Sequence, residues 1–152
     1  GGLHPDWDVQ TANDHALALA QPLRSDDWRA FLAMRWDGDA PISWAACHDE
    51  ADRQRFRAAV FTRTRSVNGL GQFYWPSSPP ADTAYVAWHQ LYRQRHPNVR
   101  VVCGHWAAQG FLRKPGLLAL DTGCGWGKLL TGARLERDEQ AINVWQQPCG
   151  CA

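Results

Sequence analysis

Apolar residues recur at helical spacing through the first half of the chain. Between Thr11 and Gln21 they fall at Ala12, Ala16, Leu17 and Ala20, and Pro22 stands where such a helix should stop. Ser25 then reads as an N-cap. Asp26 and Asp27 suit the positive end of a second helix whose buried face would carry Trp28, Phe31 and Leu32. A third helix is expected to open at Asp49 and to bury Phe56, Ala59 and Val60. From Ser66 to Pro80 the density of Asn, Gly, Pro and Ser predicts a loop or hairpin and a boundary between sub-structures.

Beyond it, Thr83–His96 reads as one helix, with Asp82 before it, Pro97 after it and Tyr85, Trp88, Leu91 and Tyr92 on a stripe. The period then changes. Val99–Cys103 and Leu117–Leu120 are compact apolar runs of strand length, and Ala133–Glu136 and Ala141–Trp145 alternate as half-buried strands do. The second half is therefore expected to be a sheet, and the chain as a whole α/β.

Composition narrows the picture. A length of 152 residues with 45% hydrophobic content is enough for a real core. A formal charge of +1 leaves no global field to attract nucleic acid or an anionic membrane, so any anion must be held by a local site. No apolar run approaches the roughly 20 residues that span a bilayer. Nine tryptophans either fill the core or line a cleft where a planar ligand can stack. Five cysteines without regular spacing, Cys47, Cys103, Cys124, Cys149 and Cys151, fit the reduced thiols of a cytoplasmic protein better than a disulfide framework. The opening Gly1-Gly2-Leu3-His4-Pro5 has neither an initiating Met nor the regions of a signal peptide, and is expected to begin inside a longer polypeptide.

Two of the expected strands end in candidate chemistry. One runs into Gly104-His105-Trp106, the other into Asp121-Thr122-Gly123-Cys124-Gly125-Trp126-Gly127. In open α/β sheets ligands collect beyond the carboxyl ends of strands, so a His and an Asp would share that edge. Gly104 is expected to supply the sharp turn that lets His105 project. The other histidines, His4, His15, His48, His89 and His96, are expected only to meet solvent. Cys47-His48 and Cys149-Gly150-Cys151 lack zinc-ligand spacing, and the latter reads as a tail. The stretch 123–127 matches neither the dinucleotide fingerprint nor the Walker spacing. Arg63 and Arg65, at the end of the third helix, could hold phosphate oxygens in pairs or simply face water.

The run Val101–Ala108, then Gly116–Gly127 and on through Leu135, resembles the C-terminal signature of symmetrical diadenosine tetraphosphatases of the calcineurin-like metallophosphoesterase superfamily. Ala59–Arg65 and Gly2–Ala12 resemble the same family in the right order, with the likeness thinnest from Asp37 to Ala58 and departures at Gly125 and Lys128. The resemblance implies the C-terminal half of a metallophosphoesterase β-sandwich flanked by helices, with a helical, cap-like segment over residues 1–80 and a helix plus half of the sheet over 81–152. It implies hydrolysis of the central phosphoanhydride of dinucleoside polyphosphates, capped RNA among the possible substrates, to two molecules of ADP in the diadenosine case. Two divalent cations, Mn or Co, would be held by an Asp-x-His motif, a shared Asp, an Asn-His pair and two later histidines. His105 corresponds to the last of these ligands, Asp121 would orient it, and Arg63, Arg65 and Trp126 would meet the substrate. The other ligands belong upstream of Gly1, so the chain is expected to be inactive without the missing N-terminal half. The alternative is a non-catalytic fragment or a helical module that binds a partner or itself; a protein phosphatase is disfavoured by Trp106 and Asp121–Trp126.

Overall fold

In the computed structural model, which describes residues 1–33, 40–136 and 143–150, Asp8 starts the first helix, α1 (Val9–Leu23), by accepting the Thr11 amide at 2.7 Å. Such a cap is worth about 1 kcal/mol. Pro22 does not stop this helix; it sits in the last turn. Lacking an N–H, it leaves the Ala18 carbonyl four residues back without its helical donor. The Gln54 side-chain amide of another helix fills that place at 3.1 Å. Ser25 is not the cap of the second helix, α2 (Trp28–Leu32). Its hydroxyl donates to the Pro22 carbonyl and accepts the Asp27 amide, closing a turn. Of the expected buried face only Phe31 is buried, while Trp28 and Leu32 stay largely exposed.

The third helix, α3 (Glu50–Arg63), forms as its sequence predicts. Asp49 caps it through the Asp52 amide, Glu50 and Asp52 lie in the first turn and Arg63 in the last, and Phe56, Ala59 and Val60 are buried. The segment 66–80 contains the expected hairpin, β1 (Ser66–Val67) with β2 (Phe73–Tyr74). The Asn68 carboxamide accepts the Leu70 and Gln72 amides in its turn. The expected helix from Thr83 is a shorter one. Val86–Ala87 is a strand, β3, paired antiparallel with β1, and α4 spans only Trp88–Arg95. The Trp88 amide donates to the Arg65 carbonyl at 3.0 Å, so a neighbouring strand takes what a helix would have used.

These elements make the first of two units, Gly1–His96. Its centre is Phe56, with no exposed surface. The rings of His4, Trp7, Trp44, Phe73 and Trp75 close around it at centroid distances of 5.6 to 6.3 Å. His4 is therefore a core residue rather than a solvated one. Its Nδ1 accepts the Asp6 amide at 3.1 Å. Its ring also lies against Gly71, where a side chain would come within 2.9 Å of Nε2 and the backbone φ is +72°. His15 likewise stacks on Trp7 and accepts from Arg57 Nε, while Arg57 is paired with Glu50 at 2.6 Å. His96 bonds to the Pro5 carbonyl and His89 is buried in α4; of the five, only His48 is exposed.

The second unit, Pro97–Ala152, holds two small sheets rather than one. In the first, β4 (Val101–Cys103) pairs parallel with β6 (Leu117–Ala119), and β5 (Leu112–Lys114), absent from the sequence expectations, pairs antiparallel on the other side of β6. The second is a hairpin of β7 (Leu129–Arg134) and β8 (Asn143–Pro148). Ala141 and Ile142, expected in the last strand, lie outside the described residues. The chain is thus mixed α/β. Among the described residues no helix is long and apolar enough to cross a membrane.

Replacing Phe56 by Ala should cost about 3–5 kcal/mol in urea unfolding, against about 0.5 kcal/mol or less for Ala at the exposed Leu70. Burial lowers the pKa of both His4 and His15 from the ordinary 6.5, ahead of the opposing pull of Asp6 on the first and of Asp14 on the second. The unfolded chain therefore binds more protons than the folded one as pH drops below that value, and stability must fall with it until the lowered folded-state values are passed. Urea midpoints measured from pH 7.5 down to 5 should show this decline, with His15→Gln flattening part of it.

Candidate functional site

The parallel pairing of β4 with β6 sets Val101 beside Leu117 and Cys103 beside Ala119, so the two strands end together. The Leu120 amide donates to the Cys103 carbonyl at 2.9 Å and carries the register one step further. A Cβ on Gly104 would lie 3.7 Å from that of Asp121. His105 and Asp121 thus follow from adjacent strand ends of one sheet, as the sequence suggested.

The turn itself differs from expectation. The left-handed residue is His105, at φ +80°, and not Gly104. A non-glycine residue held there stores backbone strain of roughly 1–3 kcal/mol, a condition concentrated at functional sites. The turn is fixed by the Ala107 amide on the His105 carbonyl at 3.0 Å and the Gln109 amide on that of Trp106 at 2.9 Å. The His105 side chain is exposed.

The loop after β6 is pinned throughout. Asp121 Oδ1 accepts the Gly123 amide at 3.0 Å. Thr122, buried, donates to the Leu129 carbonyl and meets the Thr131 hydroxyl, each at 2.6 Å. Gly123 and Gly127 both adopt positive φ, and between them a single 3-10 turn, Cys124–Trp126, places the Trp126 indole 81% exposed. The loop is also tied covalently. Cys124 and Cys149 form a disulfide across a Cα separation of 5.5 Å, which corrects the expectation of reduced thiols throughout and gives Cys149 a structural role. Cys151, the rest of that expected tail, lies outside the described residues. Cys47 and Cys103 are free thiols. Burial, with Asp52 nearby, pushes that of Cys47 up to about 11, so it is no ready metal partner for His48.

Arg63 and Arg65 belong to the first unit. Arg63 lies in the last turn of α3 on the wall of a cavity, while Arg65 follows the helix cap and leads into β1. Arg55, which also lines that cavity, was not singled out from the sequence. Its signal was its position eight residues before Arg63, on a neighbouring part of the same helix face. Among the described residues no three His, Cys, Asp or Glu side chains converge as a metal requires. One imidazole and one carboxylate at a strand edge do not make a two-metal centre, so these residues alone carry no chemical step that runs through such cations.

No protein-family profile matches the chain. It is 37% identical over 153 residues to a protein of Burkholderia thailandensis named "Bis(5'-nucleosyl)-tetraphosphatase, symmetrical", covering 97% of this chain and 53% of that protein. Proteins of the same name from Burkholderia mallei and Burkholderia pseudomallei are 37% identical over 151 residues, with the same coverage. The chain spans about half the length of the curated relatives it matches. By their names these relatives are hydrolases, and the chain is related to them. More narrowly, it is a homologue of the symmetrical bis(5'-nucleosyl)-tetraphosphatases.

Reducing the Cys124–Cys149 bond, which closes a separation of 25 residues, should remove about 3–4 kcal/mol from the hairpin and its loop on loop-closure grounds. Amide exchange of β7 and β8 with and without a dithiol should reveal this as faster exchange, and Cys124→Ser should reproduce it without reductant.

Proposed function

We propose that this chain is one part of an enzyme that hydrolyses dinucleoside tetraphosphates, splitting diadenosine tetraphosphate at its central anhydride into two ADP, and that it is inactive on its own. The observation that carries this reading is likeness along 97% of the chain to proteins bearing the tetraphosphatase name. We read the small sheets as part of a metallophosphoesterase β-sandwich and residues 1–80 as its helical cap.

In this reading His105 is one ligand of a pair of divalent cations, Mn or Co, whose other ligands the described residues do not supply. Such cations would polarise the phosphoryl oxygens and the attacking water. The chain's own residues have simpler tasks. Asp121, itself fixed by its bond to the Gly123 amide, would orient His105 from the adjacent strand end. Arg63 and Arg65 offset the polyphosphate charge, each guanidinium offering paired donors. Trp126, held out on a pinned loop, offers a face on which a base can stack. The ends of dinucleoside polyphosphates and of capped RNA present the same features.

A second reading has one observation in its favour. Among the described residues β4 is an edge strand in the order β4-β6-β5, with Val102 40% exposed. An edge strand presents unpaired N–H and C=O groups, so this edge invites another strand and a binding or self-associating role without turnover.

Diadenosine tetraphosphate hydrolysis with Mn²⁺ or Co²⁺, followed as ADP against ATP plus AMP, separates the two. The expected result is no turnover by this chain, and ADP alone once the remaining half of a relative is added. In that mixture Asp121→Asn should lower turnover by about 10–100-fold and His105→Ala should abolish it. Turnover that persists in the His105 variant overturns the assignment, and an inert mixture favours the binding module.

A further inference from the structure

The loop between β6 and β7 is closed at its base by a side chain. The Leu129 amide donates to the Thr122 carbonyl at 3.4 Å, and the Thr122 hydroxyl donates to the Leu129 carbonyl at 2.6 Å. A hydroxyl thus completes an exchange of hydrogen bonds that two backbones make between themselves in a ladder. It has one proton to give, and a carbonyl has none. The proton of Thr122 is spent on Leu129, so at its 2.6 Å contact with Thr131 the Thr122 oxygen accepts and Thr131 donates. The Thr131 oxygen in turn accepts from Gln146 Nε2 at 3.2 Å, across the register that pairs these two residues in β7 and β8. The bonds therefore run one way, from Gln146 through Thr131 and Thr122 to the Leu129 carbonyl. Both threonines are buried, so a missing member is not readily replaced by water.

Thr122 also lies between the Asp121 carboxylate and the Gly123 amide which that carboxylate accepts at 3.0 Å. Its torsions set where the amide stands relative to the carboxylate, and its anchored side chain fixes them. The Cys124–Cys149 bond ties the turn of the same loop to the residue after β8 and leaves the base to the threonines. We propose that Thr122 and Thr131 are positioning residues for the strand-end site: their hydroxyl relay holds Asp121 at the end of β6 and closes the loop that presents Trp126. The inference rests on the tetraphosphatase reading for the task of Asp121, while the relay itself is independent of that reading.

Valine variants separate positioning from stability, because losing one partner of a buried pair costs more than losing both. In the 152-residue chain, Thr122→Val strands the Leu129 carbonyl and the Thr131 hydroxyl and should lower the urea midpoint. It should also speed exchange of the Gly123 amide about tenfold. Thr131→Val, which keeps the Thr122–Leu129 bond, should speed it less. The double variant removes the stranded Thr131 hydroxyl and should be at least as stable as Thr122→Val, with Gly123 exchange still fast. In the mixture with the remaining half of a relative, Thr122→Val should lower kcat/KM for diadenosine tetraphosphate about tenfold. Thr122→Ser, which keeps the hydroxyl, should restore it, and the double variant should not. Gly123 exchange unmoved by Thr122→Val, or turnover that recovers in the double variant along with its stability, overturns the proposal. The enzymatic reading fails separately: a mixture inert even with the unaltered chain removes that reading, whereas full turnover by Thr122→Val, despite fast Gly123 exchange, removes the positioning role alone.

Discussion

The first unit depends on the exclusion of water from Phe56. Aromatic side chains from the opening residues, from the segment before α3 and from β2 converge on that one ring. The indoles and the imidazole among them bring a polar edge that must be satisfied as it is buried. The Trp75 indole donates to the Ala40 and Pro41 carbonyls. His4 uses the Asp6 amide, and Gly71 has no side chain because the imidazole occupies that space. A short stretch before the first helix is thereby tied into the core.

What could be read from the sequence follows from how local the decisive forces were. α3 was legible because its cap, its charged ends and its buried stripe agree, and all of them act within a few residues. The segment from Thr83 was not, because a helical stripe competed with pairing to β1, a partner some twenty residues earlier whose presence no local pattern announces. β5 was missed for a similar reason: Leu112, Arg113 and Lys114 are a strand only because β6 offers an edge. The histidines depart from expectation because a polar residue type does not by itself fix a wet position: four of the five sit among rings or backbone carbonyls.

At the candidate site, the placement of His105 and Asp121 just beyond adjacent strand ends was legible because two apolar runs ending in chemistry pair in parallel and in register. The conformation was less so, since an invitingly placed glycine precedes the residue that turns. The disulfide lay beyond reach, as cysteines without spacing say nothing about which will approach each other. The two glycines, the buried pair of threonines and that covalent tie hold the Trp126 turn in place while its indole faces solvent.

The amide of Gln54 occupying the Ala18 carbonyl has an implication for how variants of this chain would be read. Proline ordinarily makes the length of a helix a private matter of its own sequence. Here the final turn of α1 is completed by a residue of α3, so the end of one helix is inherited from the docking of another. A change at Gln54, silent by every rule of helix propensity for α3 itself, would show its effect as fraying at Leu23, far away along the chain.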